Sequence, residues 1–159
     1  MKNEKISIDY QSFNSFEELL STDRMLVEKA LEATKNAYAP YSEFYVGAAL
    51  QLKNGEIILG SNQENEAYPS GLCAERVALF YAGSEYPQEE VTALAVIAKS
   101  DKTPLLEAVT PCGACRQVMH QTQLRQKKPF KIILAHENGS GFIFGSADAL
   151  LPLSFQFNK

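Results

Sequence analysis

Apolar residues follow two different spacings along this chain, which predicts a protein built from both helices and strands. Between Thr22 and Tyr38 they recur every three or four positions, which indicates a helix with one buried face. Ala39-Pro40 is expected to end it, because the residue before a proline is pushed out of the helical region. Two further helices are predicted, from Cys73 to about Tyr81 and from Cys112 to about Gln126.

Apolar runs of strand length predict the sheet, and Asn54-Gly55 is a strong hairpin signal between the first two of them. The predicted strands are Phe44–Leu52, Glu56–Ser61, Val91–Lys99, Phe130–Ala135 and Phe142–Gly145. The last connection is too short for a crossover, so the fifth strand is expected to run antiparallel to the fourth. Strands alternating with helices predict an α/β fold, a three-layer α/β/α sandwich around a five-stranded mixed sheet.

Weaker signals lie towards the ends of the chain. Lys5–Tyr10 alternates apolar and polar residues and predicts an edge strand or an extended arm. Ser15 and Glu18 have the spacing of a capping box, which predicts a short helix there. Ala147–Leu151 is expected to form a terminal helical turn. With no internal repeat or linker, residues 1–159 are predicted to be a single domain.

Composition narrows the class of protein. Of 159 residues, 45% are apolar and 21% charged, which is typical of a soluble globular domain that packs a core without disulfides. The longest apolar stretches are strand-sized, and the N-terminus lacks an apolar signal region, so neither membrane insertion nor secretion is expected. An odd number of cysteines, three, then favours reduced thiols and a cytoplasmic location.

The charge balance argues against a nucleic-acid partner. The chain carries 15 basic and 19 acidic residues, a formal net charge of −4. Nucleic acids are bound mainly through basic side chains that contact phosphates. The densest basic run, from Arg125 to Lys128, is interpreted as the solvated last turn of a helix.

All three cysteines belong to two short motifs. Cys73 is followed two residues later by Glu75, and Pro111 precedes Cys112 and Cys115 in a Cys-x-x-Cys. Three thiolates with a bound water as the fourth ligand are typical of catalytic zinc, whereas structural zinc usually takes four protein ligands. We therefore expect one zinc ion per chain, with Glu75 beside its water as a proton shuttle.

The charge of such a centre needs compensation, because three thiolates exceed the charge of the divalent metal by one. Arg76 and Arg116 each follow a motif residue and are expected to donate hydrogen bonds to the sulfurs. The alternative is a closed, noncatalytic zinc module with a histidine as the fourth ligand. His120 and His136 are the candidates, although both are interpreted as ordinary polar residues.

Taken together, these motifs resemble the cytidine deaminase family, over nearly the whole chain from about residue 22 to 156. A cysteine at the first ligand position, where the wider superfamily has histidine, resembles the branch that acts on free nucleosides. The matching blocks are Ala37–Ser42 with Phe44, Val46–Ala49, Asn62–Asn65, Cys73–Phe80, Pro111–Gln117 and Leu150–Phe155.

The resemblance implies the family's fold and its activity, hydrolytic deamination of cytidine and 2′-deoxycytidine in pyrimidine salvage, by a zinc-dependent homotetramer. It implies that Glu75 protonates the ring and then the departing amino group, and that Phe44 packs against the base. Tyr68 and Phe155 would approach a neighbouring subunit's site. The implied polar contacts are the Ala74 N–H to the base O2, the Thr110 carbonyl to the leaving nitrogen, and Asn62 and Glu64 to the ribose 3′-hydroxyl.

Glu64 carries a further expectation, because a carboxylate that accepts a 3′-hydroxyl would repel a 3′-phosphate. Free nucleosides are therefore the expected substrates. Gln63 and Glu66 depart from the family pattern and leave the fine substrate preference open, and residues 1–20 are an N-terminal extension of unknown role. A deaminase of another cytosine nucleoside such as blasticidin S, and nucleic-acid editing, are the alternative activities.

Overall fold

A six-stranded β-sheet forms the centre of the molecule in this computed structural model, which describes residues 1–157. The strands are β1 (Gln11–Phe13), β2 (Phe44–Leu52), β3 (Ile57–Ser61), β4 (Val91–Ser100), β5 (Lys131–Ala135) and β6 (Gly141–Phe144). They lie in the order β1-β6-β5-β4-β2-β3. β4 and β5 run parallel and the other neighbouring pairs antiparallel, so the predicted mixed sheet with β6 antiparallel to β5 is confirmed.

Within residues 1–157, three helices cover the two faces of the sheet, as predicted. They are α1 (Ser21–Ala33), α2 (Ala74–Glu85) and α3 (Gly113–Gln126). Leu94 and Val96 of β4 belong to the core cluster that includes α2 and α3, whereas Ala95 and Ile97 belong to the cluster that includes α1. Because successive side chains of a strand point to opposite faces, a strand buried on both sides reads as one continuous apolar run.

The first helix ends earlier than predicted. α1 stops at Ala33 and continues only as a 3₁₀ turn over Thr34–Asn36, so the predicted extension to Tyr38 is wrong. The Thr34 hydroxyl donates to the Leu31 carbonyl at 2.8 Å, a local bond that competes with the regular helical pattern. The helix lies directly on β2, where a Cβ at Gly47 would come within 1.9 Å of the Ala30 carbonyl oxygen.

The sixth strand comes from the N-terminal segment. Lys5–Tyr10 forms no strand, and pairing with β6 begins only at Gln11, so of the two predicted alternatives for this segment the edge strand is wrong. β1 has only three residues, too few to show an alternating pattern. Its Phe13 is 4% exposed and packs into the α1 side of the core. Residues 11–20, in the segment predicted to be an extension, therefore contribute to the sheet and to the core.

Two short 3₁₀ turns lie where the sequence predicts helical turns. Ser15 accepts a hydrogen bond from the Glu17 backbone at the start of Phe16–Glu18. Near the C-terminus, the turn covers Ala147–Ala149, shorter than predicted. Among residues 1–157, every helix is too short or too polar to cross a lipid bilayer.

Candidate active site

The two cysteine motifs lie at the N-termini of the two helices on one face of the sheet. Cys73 is the N-cap residue of α2 and Cys112 that of α3, and neither side chain caps its helix. The sulfur atoms therefore remain available to a ligand. A helix N-terminus also stabilises a thiolate through its free N–H groups and the helix dipole.

α2 packs closely against β3 because Gly60 of β3 has no side chain. A Cβ there would lie 2.3 Å from the Ala74 carbonyl oxygen and 2.8 Å from the Ala78 nitrogen. Backbone atoms cannot move aside as a flexible side chain can. Gly60 thus lets the first turn of α2, and Cys73 before it, rest directly against the strand.

The sulfurs of Cys73, Cys112 and Cys115 form a compact cluster. The Cys73 and Cys112 sulfurs are 3.8 Å apart, and all three lie within 4.8 Å of one another. Ligands about 2.3 Å from a tetrahedral zinc ion stand roughly 3.8 Å from each other. The spacing and the thiolate chemistry both fit a zinc ion held by three protein ligands.

Hydrogen bonds in and around the cluster favour the thiolate form of Cys73. The Cys115 thiol donates a hydrogen bond to Cys73, and together with Arg76 this lowers the pKa of Cys73 to about 5. The same bond and burial raise the pKa of Cys115. Arg76 donates from Nη2 to the Cys73 sulfur at 3.6 Å, as expected from the sequence, and its Nε is buried without a hydrogen-bond partner among the described residues.

Glu75 is buried beside this cluster. Its side chain projects from the first turn of α2, the residue is 4% exposed, and it lines the same cleft as Cys73 and Cys112. Burial raises the pKa of its carboxyl group above the ordinary range. A carboxyl group with a raised pKa can exchange a proton near neutral pH, which is what a general acid and base requires.

Neither histidine supplies a fourth ligand. His120 is bonded through Nδ1 to Asp148 at 2.8 Å, and Gln156 contacts its Nε2 at 3.0 Å. His136 accepts from the Asn138 backbone at Nδ1, so its Nε2 carries the proton that it donates to the Leu105 carbonyl at 3.0 Å. Within residues 1–157 the metal-ligand cluster contains only cysteines, which contradicts the closed zinc module.

Arg116 does not contact the sulfurs, so that expectation is wrong. Its guanidinium donates to the Pro111 carbonyl at 2.7 Å, to the Leu150 carbonyl at 3.2 Å and to the Thr110 hydroxyl at 3.0 Å. Side chains in a first helical turn lean back over the preceding residues, which explains the direction. Arg116 instead holds the segment that leads into Cys112.

A cleft of about 1010 Å³ opens in front of the cluster. It is large enough for a small polar ligand with a ring. Ala74 is buried behind its wall, whereas Phe155 is 72% exposed and lies outside the lining, as do Glu66 and Arg116. The predicted site residues that line it are Phe44, Asn62, Glu64, Tyr68, Cys73, Glu75, Arg76, Thr110 and Cys112.

Two polar residues of the cleft lining, Asn62 and Glu64, are held by hydrogen bonds with backbone groups. The Asn62 side chain accepts from the Val46 nitrogen at 2.7 Å and donates to the Phe44 carbonyl at 2.9 Å. Glu64 accepts from the backbone nitrogens of Tyr41 at 3.0 Å and Ser42 at 3.3 Å. A hydrogen bond from the Ser42 hydroxyl contributes most to lowering the pKa of the Glu64 carboxyl group.

Several residues that line the cleft had no role predicted from the sequence. Ser42 stood inside a matched block, yet its contact with Glu64 joins positions 22 residues apart and has no sequence pattern. The loop after β4 supplies Leu105 and Val109, which pack against the core cluster on the α2 and α3 side. A single polar or apolar residue in a loop gives no periodic signal, so these positions could be found only in three dimensions.

Comparison with known proteins gives a consistent result. Residues 20–128 match the family model for the cytidine and deoxycytidylate deaminase zinc-binding region. A cytidine deaminase from Halalkalibacterium halodurans is 52% identical over 96 residues, which are 60% of this chain and 68% of that protein.

Solved structures give the same match. The crystal structure of cytidine deaminase from Burkholderia pseudomallei superposes with a TM-score of 0.71 at 38% identity, covering 82% of this chain and 97% of that one. The Mycobacterium tuberculosis cytidine deaminase gives a TM-score of 0.65 at 29% identity, covering 87% and 99%.

Proposed function

Because this chain belongs to the cytidine and deoxycytidylate deaminase family, we propose that it converts cytidine to uridine and ammonia by hydrolysis. It acts on 2′-deoxycytidine in the same way. The observation that carries the proposal is the buried Glu75 carboxyl group beside a three-sulfur cluster at the floor of a nucleoside-sized cleft.

Cys73, Cys112 and Cys115 hold the zinc ion. When bound, zinc activates a water molecule for attack on C4 of cytosine. The residues of the chain then have separate tasks. Glu75 carries a proton first to N3 of the ring and then to the departing amino group, a task suited to its raised pKa.

The walls of the cleft orient the base. Phe44 and Thr110 both line it, Phe44 against the ring and Thr110 with its carbonyl towards the departing amino group. Ala74 N–H belongs to the first turn of α2, where the backbone N–H groups have no intrahelical partner, and it donates to O2. Arg116 keeps Thr110 and Pro111 in place through its bonds to both.

Asn62 and Glu64 bind the ribose 3′-hydroxyl at the far end of the cleft. Glu64 is ionised and can only accept hydrogen bonds, so it favours a hydroxyl and repels a phosphate. Free nucleosides rather than nucleotides or nucleic acids are therefore the substrates. The alternative substrate class, an antibiotic nucleoside such as blasticidin S, is not favoured, because the relatives are named cytidine deaminases.

The enzyme acts in the cytoplasm in pyrimidine salvage, as a homotetramer. Tyr68 and Phe155 are 77% and 72% exposed, and Phe155 lies outside the cleft of its own chain. Both are free to contact a neighbouring subunit's site. Static light scattering on the zinc-loaded protein tests the assembly, and a monomer with full activity would contradict it.

The activity is tested by mixing cytidine with the purified protein and following the loss of the amino-pyrimidine absorbance, with ammonia measured in parallel. Metal analysis of the same sample should give one zinc per chain. Uridine and ammonia in equal amounts support the proposal. A zinc-loaded protein that leaves cytidine and 2′-deoxycytidine unchanged would overturn the proposal. A kcat/KM more than tenfold higher for blasticidin S than for cytidine would also overturn it.

A further inference from the structure

The Ser42 hydroxyl lies between two groups that the proposed function places on opposite parts of the substrate. It donates a hydrogen bond to Oε1 of Glu64, and it accepts one from the Phe44 backbone nitrogen at 3.1 Å. We propose that Ser42 is a positioning residue that holds the sugar-binding carboxylate and the base-packing residue in one arrangement. The inference rests on the proposed role of Glu64 at the ribose 3′-hydroxyl.

The contacts of Glu64 leave room for such a role. Its Oε2 accepts from the Tyr41 and Ser42 backbone nitrogens, and its Oε1 accepts from the Ser42 hydroxyl. A carboxylate offers about four acceptor positions, so three protein donors leave one free. An ionised carboxylate only accepts hydrogen bonds, and Glu64 lines the cleft, so a donor such as a substrate hydroxyl can take the remaining position.

The segment that carries Ser42 is braced from both sides. Glu43 adopts a left-handed backbone conformation, with φ of 52°, and its nitrogen donates to the Ala39 carbonyl at 3.0 Å. Lys102, in the loop after β4, donates to the Tyr41 carbonyl at 2.9 Å and pairs with the Glu43 carboxylate at 3.0 Å. A side chain on such a segment can fix the position of its partners.

Removing the hydroxyl has two separate consequences. In Ser42→Ala, Glu64 keeps only its two backbone donors, and Oε1 is free to turn towards solvent. The Phe44 nitrogen loses its acceptor. The carboxylate then spends less time in the position that meets a 3′-hydroxyl, and substrate binding weakens, although the proton transfer by Glu75 is unaffected.

The decisive experiment compares cytidine with 3′-deoxycytidine in kcat/KM, using the zinc-loaded full-length protein. The ratio of the two values measures what the 3′-hydroxyl contributes. We expect Ser42→Ala to lower this ratio about tenfold, the size of one hydrogen bond to a charged group. The loss should lie in KM for cytidine, with kcat changed much less, and Ser42→Thr should restore most of the ratio.

Ser15→Ala is the matched control, because the Ser15 hydroxyl also accepts a hydrogen bond from the backbone nitrogen two residues later, at Glu17, and does not contact Glu64. Its ratio should equal that of the wild type. If Ser42→Ala lowers kcat/KM equally for both nucleosides, Ser42 only supports the loop and the proposal is wrong. If Glu64→Ala itself leaves the ratio unchanged, the assigned role of Glu64 fails instead.

A second measurement needs no activity. The bond from Ser42 holds the pKa of Glu64 below its ordinary value, with a smaller contribution from Lys102. NMR titration of the Glu64 carboxyl carbon in Ser42→Ala should therefore show a higher pKa than in the wild type and in Ser15→Ala. An unchanged pKa would show that the hydroxyl does not hold the carboxylate, and would overturn the proposal even if Ser42→Ala is too unstable for kinetics.

Discussion

The Arg76 guanidinium donates a hydrogen bond to the Cys73 sulfur over 3.6 Å, from the first turn of the helix that begins directly after Cys73. Three thiolates and a divalent zinc ion leave one net negative charge. Arg76 brings one positive charge into contact with that centre and so offsets its net charge.

Replacing this arginine should weaken zinc binding. In Arg76→Gln the thiolates lose both a charge and a donor, and partners of metal ligands are commonly worth 10- to 100-fold in metal affinity, so we expect about that loss. Competition with a chromophoric chelator measures it. Arg24→Gln is the control, since Arg24 pairs with Glu28 on the exposed side of α1. Equal zinc affinity in both variants would refute the role of Arg76.

The Glu75 carboxyl group should be needed for turnover and not for metal retention. Glu75→Gln keeps the size of the side chain and removes its proton transfer, so kcat should fall by about 10³-fold or more. Zinc content should remain at one per chain. Glu85→Gln, at the exposed end of the same helix, should leave both quantities unchanged. Near-normal turnover by Glu75→Gln would remove the proton shuttle from the proposal.

The charge of Glu64 should exclude phosphate. In Glu64→Gln the carboxylate becomes neutral and gains an amide donor, so turnover of cytidine 3′-monophosphate relative to cytidine should rise about tenfold or more. Steady-state kinetics with both substrates at several salt concentrations measures this. The discrimination should weaken with salt in the wild type, because it is electrostatic, and salt-independent exclusion would point to a steric cause instead.

Glu64 should also give stability a particular pH dependence. Its pKa is lowered in the folded protein, so it stabilises the fold above the pKa of the unfolded chain, and this contribution is lost as the pH falls through the lowered value. Chemical unfolding should thus show a stability gap between the wild type and Glu64→Gln at neutral pH. The gap should close in acid, and a gap that widens there would contradict the lowered pKa.

The N-terminal strand should matter for stability. Phe13 is 4% exposed and packs in the α1 side of the core, so Phe13→Ala should lower the free energy of unfolding by about 3 kcal/mol. Thermal and chemical unfolding measure the effect. Tyr10→Ala provides the comparison, because Tyr10 is 57% exposed and packs against the Phe142 and Phe144 rings on the other face of the sheet from Phe13. A loss at Phe13 no larger than at Tyr10 would contradict a core role for β1.

The elements that carry the metal ligands could be predicted because local rules determine them. Cys73 and Cys112 each precede a helix whose apolar residues pack on the same face of the sheet, so their meeting follows from the α/β architecture. The predictions that were wrong, for Arg116 and for the N-terminal strand, concern residues whose positions depend on long-range contacts. Arg116 donates a hydrogen bond to the backbone carbonyl of Leu150, 34 residues away. β1 pairs with β6, which lies more than 120 residues further along the chain.

The same distinction holds within the cleft. Glu75 and Arg76 adjoin a ligand in the sequence, and the structure brings both to the sulfur cluster. Ser42 and Leu105 have no such neighbour. Their positions in the cleft depend on how loops from different strands pack together. The pattern of polar and apolar residues in a sequence does not predict the distance between such loops.

The close contact at Gly60 also bears on protein engineering. Since even a methyl group at this position would collide with the backbone of α2, a side chain there would displace the helix whose N-terminus carries Cys73. Variant libraries designed to accept bulkier substrates should therefore keep glycine at position 60. Substitutions are better introduced in the surface loop around Leu106, because this residue is 92% exposed and lines the cleft.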